Sequence, residues 1–209
     1  KDFGIEEMTN ALLQRRASQA ALTFIMRLRK LTSRLKYKTT IEMARSFEMQ
    51  NEAAVIFTWT RASTTHIQRS LKGAYAIHGG LSDKQRVSTI DDFQAGQGSA
   101  IVATIDSLSV GVTLHRARHA IMHDLDPVPS KMLQAEKRIS RIGQVWPTRS
   151  YWLVARGTID ELWAKLYQKK AEIIDDALGD NAVQSLSDLM EPQEVYQGVE
   201  RVLDWARRA

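Results

Sequence analysis

The segment Gln134-Ala135-Glu136-Lys137-Arg138-Ile139-Ser140-Arg141-Ile142-Gly143-Gln144 carries the periodicity of an amphipathic helix. With Pro129 and Ser130 opening it, Gln134, Arg138 and Arg141 fall at i, i+4 and i+7 on one face, while Met132, Ala135, Ile139 and Ile142 line the other. Gly143 suits the C-terminal cap. Two guanidiniums and an amide are then presented together from a buried helix. That set suits a polyphosphate, because arginine offers a fixed fork of donors and keeps its charge when desolvated. Taken alone, the same pattern also describes a solvated helix face.

Read as a whole, the segment resembles motif VI of the Swi/Snf-type ATPases of helicase superfamily two, whose usual form is Gln-Ala-Glu-Asp-Arg-x-His-Arg-Ile-Gly-Gln. Lys137 replaces the acid and Ser140 the histidine, two departures in eleven residues. The solvated-face reading loses most of its weight against so specific a match.

Composition sets the outer bounds. The 209 residues are 44% hydrophobic and 25% charged, ordinary for a globular chain with one full core and extensions. Cysteine is absent, which excludes disulfides and thiolate metal sites and favours an intracellular setting, prokaryotic cytoplasm or eukaryotic nucleus. No apolar run approaches the roughly 18 residues of a membrane span, and no signal-peptide pattern opens the chain. Lys1 stands where an initiator methionine would, so the expectation is a fragment of a longer protein. A net charge of +5 fits a polyanionic partner. Its distribution says more. Arg15, Arg16, Arg27, Arg29, Lys30, Arg34, Lys36 and Lys38 occur with no acidic residue among them, either as a solvated helix face or as a phosphate-contacting one.

Along the chain, Leu12, Leu13, Ala20, Ala21, Phe24, Ile25, Leu28 and Leu31 predict a helix from Ile5 to about Leu31, and a second is expected from Thr40 to Met49. Ala53 to Thr58 reads as a fully buried parallel strand. Arg61 to Leu71 is expected helical and Ala74 to Ile77 a second strand. His78-Gly79-Gly80 reads as a turn whose glycines allow tight or left-handed backbone. Ser82 caps a helix through Asp83, Arg86, Ile90 and Phe93 that ends at Ala95-Gly96. Further strands are expected at Ser99 to Ala103, His119 to His123 and Ser150 to Val154, with a capping-box helix start at Thr158-Ile159-Asp160-Glu161. Strands alternating with helices predict a three-layer α/β lobe with a mainly parallel sheet and helical extensions at both ends. The expected division is 1–50 as an N-terminal helical segment, 51–178 as the lobe, and 179–209 as a C-terminal helical extension.

The resemblance extends over about Ala20 to Leu189 and implies the C-terminal, second RecA-like lobe of a two-lobed motor. His78-Gly79-Gly80-Leu81-Ser82 with Arg86 and Phe93 looks like the family's middle segment, and Thr58 matches a hydroxyl residue at a strand end. In the motif V region Thr104, Gly111 and Thr113 match, whereas Leu108-Ser109 replaces the usual glycine pair. Gly111-Val112-Thr113 is most similar to the subgroup that anneals DNA and remodels forks. Arg141 is implied as arginine finger with Arg138 assisting, and Gln134 and Gly111 as nucleotide contacts. Thr58, Gly79, Thr104 and Thr113 are implied as contacts to the DNA backbone. The implied cofactor is ATP with Mg2+, the metal being held by the first lobe. The chain has neither a Gly-x-x-x-x-Gly-Lys-Ser/Thr loop nor an Asp-Glu-x-His-type segment, so alone it is expected not to hydrolyse ATP. The acids of Asp124-Leu125-Asp126 are not expected to form a metal site. Implied partners are duplex or forked DNA and the first lobe of the same protein, with no membrane and no oligomer. The competing class is a catalytically inactive docking module for nucleic acid or protein, which the altered motif V favours.

Overall fold

The computed structural model describes residues 5–108, 114–126, 129–139, 146–161, 163–165 and 167, with side chains from residue 23 except at 129 and 130. Residues 53–57 form a continuous apolar run, Ala-Ala-Val-Ile-Phe, so both faces of the strand must be covered. All six residues of β1 (Ala53–Thr58) are buried at the centre of a parallel sheet. Around it lie β2 (Ala74–Ile77), β3 (Ala100–Thr104), β4 (Ala117–Met122) and β5 (Arg149–Trp152), in the order β2-β3-β1-β4-β5. Every pairing among them is parallel, as the alternation of strands and helices required. Strand bounds shift by a residue or two from expectation at β3, β4 and β5.

The pleat divides the core. Val55 and Phe57 point into the layer that holds Phe93 of α3 (Asp83–Gln94), Met132 and Ala135 of α4 (Pro129–Glu136), Ile159 and Trp163. Ala54 and Ile56 point the other way, toward Ile67 and Leu71 beside α2 (Arg61–Ser70) and toward Ala44 and Phe47 of α1 (Ile5–Met49). Helices on both faces complete the three layers. Ser82 caps α3 as expected, and Gln85 completes a capping box with it.

The two expected N-terminal helices are one, a 45-residue α1 without a break between Leu31 and Thr40. The intervening Thr32, Ser33, Lys36 and Thr40 are polar yet buried, because the helix outruns the strand it packs on. From Ile25 to Phe47 it spans about 33 Å at 1.5 Å per residue, against about 20 Å for a six-residue strand. The overhang crosses the C-terminal edge of β1 and β4 and reaches the opposite apolar layer through Ile25.

The helix expected to reach Ile142 ends at Glu136. Beyond it the backbone tightens into three-residue turns, with Arg138 N donating to Ala135 O at 3.1 Å and Ile139 N to Glu136 O at 3.2 Å. Arg138 O, which a continuing helix would give to residue 142, accepts instead from Leu114 N at 3.1 Å. That tertiary bond has no local signature. At Thr158 the helix start is present with a different set of bonds: Thr158 Oγ1 accepts from Asp160 N at 3.2 Å, and Asp160 Oδ2 accepts from Ala155 N, three residues ahead of the cap, at 3.2 Å. The expected C-terminal extension at 179–209 lies outside the described residues.

Candidate nucleotide and nucleic-acid interface

In an open parallel sheet, ligands gather outside the carboxyl ends of the strands, where successive connections leave in opposite directions. Here that switch lies between β1, whose crossover runs toward β2, and β4, whose crossover runs toward β5. The strand ends there are covered by α1. Ser33 Oγ lies 3.0 Å from Ser63 Oγ, 3.0 Å from His123 Nε2 and 3.2 Å from Asp124 Oδ2. Lys36 Nζ pairs with Asp160 at 2.7 Å and with Asp124 at 3.7 Å, all three side chains buried. Asp124 Oδ2 also accepts from Trp59 N at 2.8 Å. The Thr40 hydroxyl donates to Lys36 O at 3.0 Å and lies 2.7 Å from His123 Nδ1. Burial holds His123 neutral, its pKa lowered to about 4, with Asp124 opposing and Lys36 reinforcing the shift. Farther along α1, Arg29 donates to Leu125 O at 2.9 Å and lies 3.8 Å over the Trp59 ring. Burial draws its pKa down, with Asp126 and Asp124 opposing.

The basic run in the N-terminal sequence therefore divides. Arg29 and Lys36 are internal and bind protein groups, which corrects their reading as phosphate or solvent contacts. Arg27, Lys30, Arg34 and Lys38 are exposed. The missed polar residues of α1 did leave a signal: positions 29, 33, 36 and 40 sit at i, i+4, i+7 and i+11, a second helical stripe opposed to the exposed cations.

Of the site residues named from sequence, Thr58 is fully buried. Its hydroxyl lies 2.6 Å from Thr64 Oγ1 and donates to Ala103 O at 3.2 Å, so direct phosphate contact through that group is corrected to a fastening of β1 to β3 and α2. Thr104, its register partner on β3, is partly exposed and leads into a single 3-10 turn, Ile105–Leu108. Gly79 is exposed, and an added Cβ there would meet nothing within 4 Å. Neither Gly79 nor Gly80 has the positive φ expected of the turn. Gly80 is required for close approach instead: a Cβ would lie 3.1 Å from an Arg61 nitrogen and 3.2 Å from His78 Nδ1. His78 Nδ1 accepts from Gly80 N at 3.1 Å, the backbone role that a histidine before a turn suggests. Burial lowers its pKa, and Arg61 lowers it further.

On α4, Met132, Ala135 and Ile139 are buried as the apolar stripe required. Arg138 is buried in the turn beyond the helix, whereas Gln134 is exposed, so the two do not share one open face. Arg141, Gly111 and Thr113 lie outside the described residues. Arg86, on the matching arginine of the middle segment, is partly buried and 3.9 Å from Asp83. Among the described residues no three His, Cys, Asp or Glu side chains converge as metal ligands, and no helix is long and apolar enough to cross a membrane. Asp124 and Asp126 are both buried, Asp124 on Lys36 and the Trp59 amide.

The family model described as the helicase conserved C-terminal domain matches residues 26–143. The Bos taurus "SWI/SNF-related matrix-associated actin-dependent regulator of chromatin subfamily A-like protein 1" is 29% identical over 116 residues, 56% of this chain and 12% of that protein. The Homo sapiens "DNA annealing helicase and endonuclease ZRANB3" is 29% identical over 103 residues, 49% of this chain and 10% of that protein. The chain thus spans about a tenth of the length of these relatives. Among solved structures, the C-terminal part of the Fun30 ATPase domain superposes with a TM-score of 0.63 at 17% identity, covering 82% of this chain and 53% of that one. Its likeness is one of fold, a RecA-like helicase lobe. With more than half of its length inside the matched model, this chain belongs to the helicase conserved C-terminal domain family and is related to the SWI/SNF-type proteins.

Proposed function

We propose that the chain is the second lobe of a DNA-dependent ATPase, a duplex translocase or helicase-like remodeller, and that ATP is bound between it and a first lobe that holds the magnesium. The observation that carries this reading is the match of Gln134 to Gln144 to motif VI. The family match over 26–143 supports it, as do a relative named as a DNA annealing helicase and a carboxyl edge where Gly79 is exposed and Thr104 partly so. The donor set fits a triphosphate better than a metal, being two guanidiniums and an amide rather than converging acids.

In this reading Arg141 reaches across the cleft to the γ-phosphate and neutralises charge that develops during transfer, Arg138 assists from its buried turn, and Gln134 and Gly111 contact the nucleotide. Thr104, Thr113 and the open turn at Gly79 hold phosphates of one tracking strand, while Thr58 positions the end of β1 from inside. Closure and reopening of the two lobes then step the motor along DNA, with binding governed by salt more than by sequence.

Phosphate release by the full-length protein, with and without duplex DNA, tests this directly. Arg141→Ala is expected to reduce DNA-stimulated turnover on the order of a thousandfold while the protein stays folded. Normal turnover in that variant would refute the assignment. A second reading, a catalytically inactive docking module, is favoured by Leu108-Ser109 in place of motif V's glycine pair. Absence of any DNA-stimulated hydrolysis from the full-length protein would decide for it.

A further inference from the structure

The outer face of α2 carries a cationic groove that none of the motifs accounts for. Arg61, Thr65 and Arg69 recur at i, i+4 and i+8, so they share one helix face over about 12 Å. With Ala62, His66 and Ser70 they line an open groove of about 510 Å³. Among the described residues neither Arg61 nor Arg69 forms an ion pair, in contrast to Lys36, Arg118 and Lys131, which each have a carboxylate partner. The groove's floor is held in place. The His66 ring stacks on Tyr37 of α1 with centroids 4.3 Å apart, and Arg45 of α1 donates to Ser70 O at 2.9 Å.

Two features identify the occupant's chemistry. First, the groove is continuous with the exposed turn at Gly79: the Arg61 guanidinium lies against Gly80 and His78, so a strand passing that turn meets Arg61 next. Second, the lining is two guanidiniums, two hydroxyls, one small aliphatic residue, Ala62, and the His66 imidazole, whose ring is already stacked on Tyr37, itself stacked on His123. Such a surface has no apolar anchor for a protein partner and no free ring for a base. Forked guanidiniums beside a hydroxyl suit phosphate oxygens. We propose that the α2 groove, through Arg61, Thr65 and Arg69, binds the sugar-phosphate backbone of DNA as a sequence-independent extension of the contact at the Gly79 turn. At about 3.4 Å per nucleotide along one strand, its length covers three to four nucleotides. This inference rests on the DNA-binding reading above.

The test measures binding of fluorescein-labelled duplex DNA to the 209-residue chain by anisotropy over a series of salt concentrations. The R61Q/R69Q variant is expected to bind more weakly on all sequences and to lower the slope of log affinity against log salt by about two. R61K/R69K keeps the charge and is expected to restore that slope, and circular dichroism checks that the variants fold. If the unaltered chain binds duplex and R61Q/R69Q shows the same slope, the groove is overturned and the DNA reading stands. If the unaltered chain fails to bind duplex, the DNA reading falls and takes the groove with it. Binding of polyglutamate but not duplex through the same two arginines also overturns the inference, in favour of an acidic protein partner.

Discussion

At the carboxyl edge of the sheet, the ends of β1 and β4 and the ends of β2 and β3 have come to opposite arrangements from similar raw material. Both halves end in polar side chains, Thr58, His123 and Asp124 in one, His78 and Thr104 in the other. Over β1 and β4 the overhang of α1 lays Ser33, Lys36 and Thr40 onto His123 and Asp124, Thr64 of α2 takes the Thr58 hydroxyl, and all three groups are removed from water. Over β2 and β3 no element among the described residues does the same: Gly79 is exposed and Thr104 partly exposed. A hydroxyl at a strand end is therefore not by itself a ligand contact. What decides its role is whether another element of the chain has already claimed it.

The sealed half is the easier one to break. Removing Lys36 leaves Asp124 and Asp160 buried with no cation at 2.7 Å or 3.7 Å, and stranding buried charge typically costs about 3–5 kcal/mol. Lys36→Ala is expected to lose stability in that range by urea unfolding of the chain. A loss below about 1 kcal/mol, the level of an exposed pair, would mean that water reaches the cluster and the two halves do not differ in kind.

His123 sharpens the same contrast through pH. In the unfolded chain its imidazole titrates near 6.5, whereas in the fold it stays neutral to about 4. The unfolded state therefore binds the extra proton first, and stability falls as pH drops from 6.5 toward 4, by about 3 kcal/mol if the whole shift is realised. Above 6.5 this contribution is fully present. His123→Gln is expected to flatten that stretch of the stability profile, measured as unfolding midpoints between those two pH values. An unchanged profile would show that the ring is already solvated in the folded state.

How far these arrangements could be read in advance depended on their range. The parallel sheet followed from continuous apolar runs such as Ala53 to Phe57, and the cap at Ser82 from a four-residue pattern, because both signals are local. The apolar stripe Met132, Ala135, Ile139 was legible for the same reason, and the family match came from a stretch of contiguous residues. The merging of two expected helices into α1 was not. Its middle turns are polar, and their partners Asp124 and Asp160 lie 88 and 124 positions away from Lys36. The early end of α4 was hidden likewise: just beyond it the carbonyl of Arg138 bonds Leu114, 24 positions away. In the candidate site, the turn expected at His78-Gly79-Gly80 is present without left-handed backbone, and what crowds Gly80 is Arg61, a contact across 19 positions that no local pattern announces.

The two threonines paired in register, Thr58 and Thr104, provide the finest test, because they differ in little except which half they occupy. Thr58→Val keeps the shape but removes a buried hydroxyl that bonds Ala103 O and Thr64 Oγ1. Thr64 retains its bond to Thr60 O at 3.1 Å, so the uncompensated loss is about one hydrogen bond, on the order of 1 kcal/mol. With the hydroxyl sealed from solvent, duplex affinity should be unchanged. Thr104→Val is expected to do the reverse: stability within about 0.5 kcal/mol of the original, as for most partly exposed substitutions, and duplex binding weaker by about 1 kcal/mol at every salt concentration with its slope unchanged, because a neutral hydroxyl releases no counterion. Denaturant unfolding and anisotropy titrations on the same two proteins read both quantities. Should Thr58→Val weaken DNA binding at unchanged stability, the end of β1 must open from α2 and β3 when DNA arrives, and the seal would be a moving part rather than a fixed one.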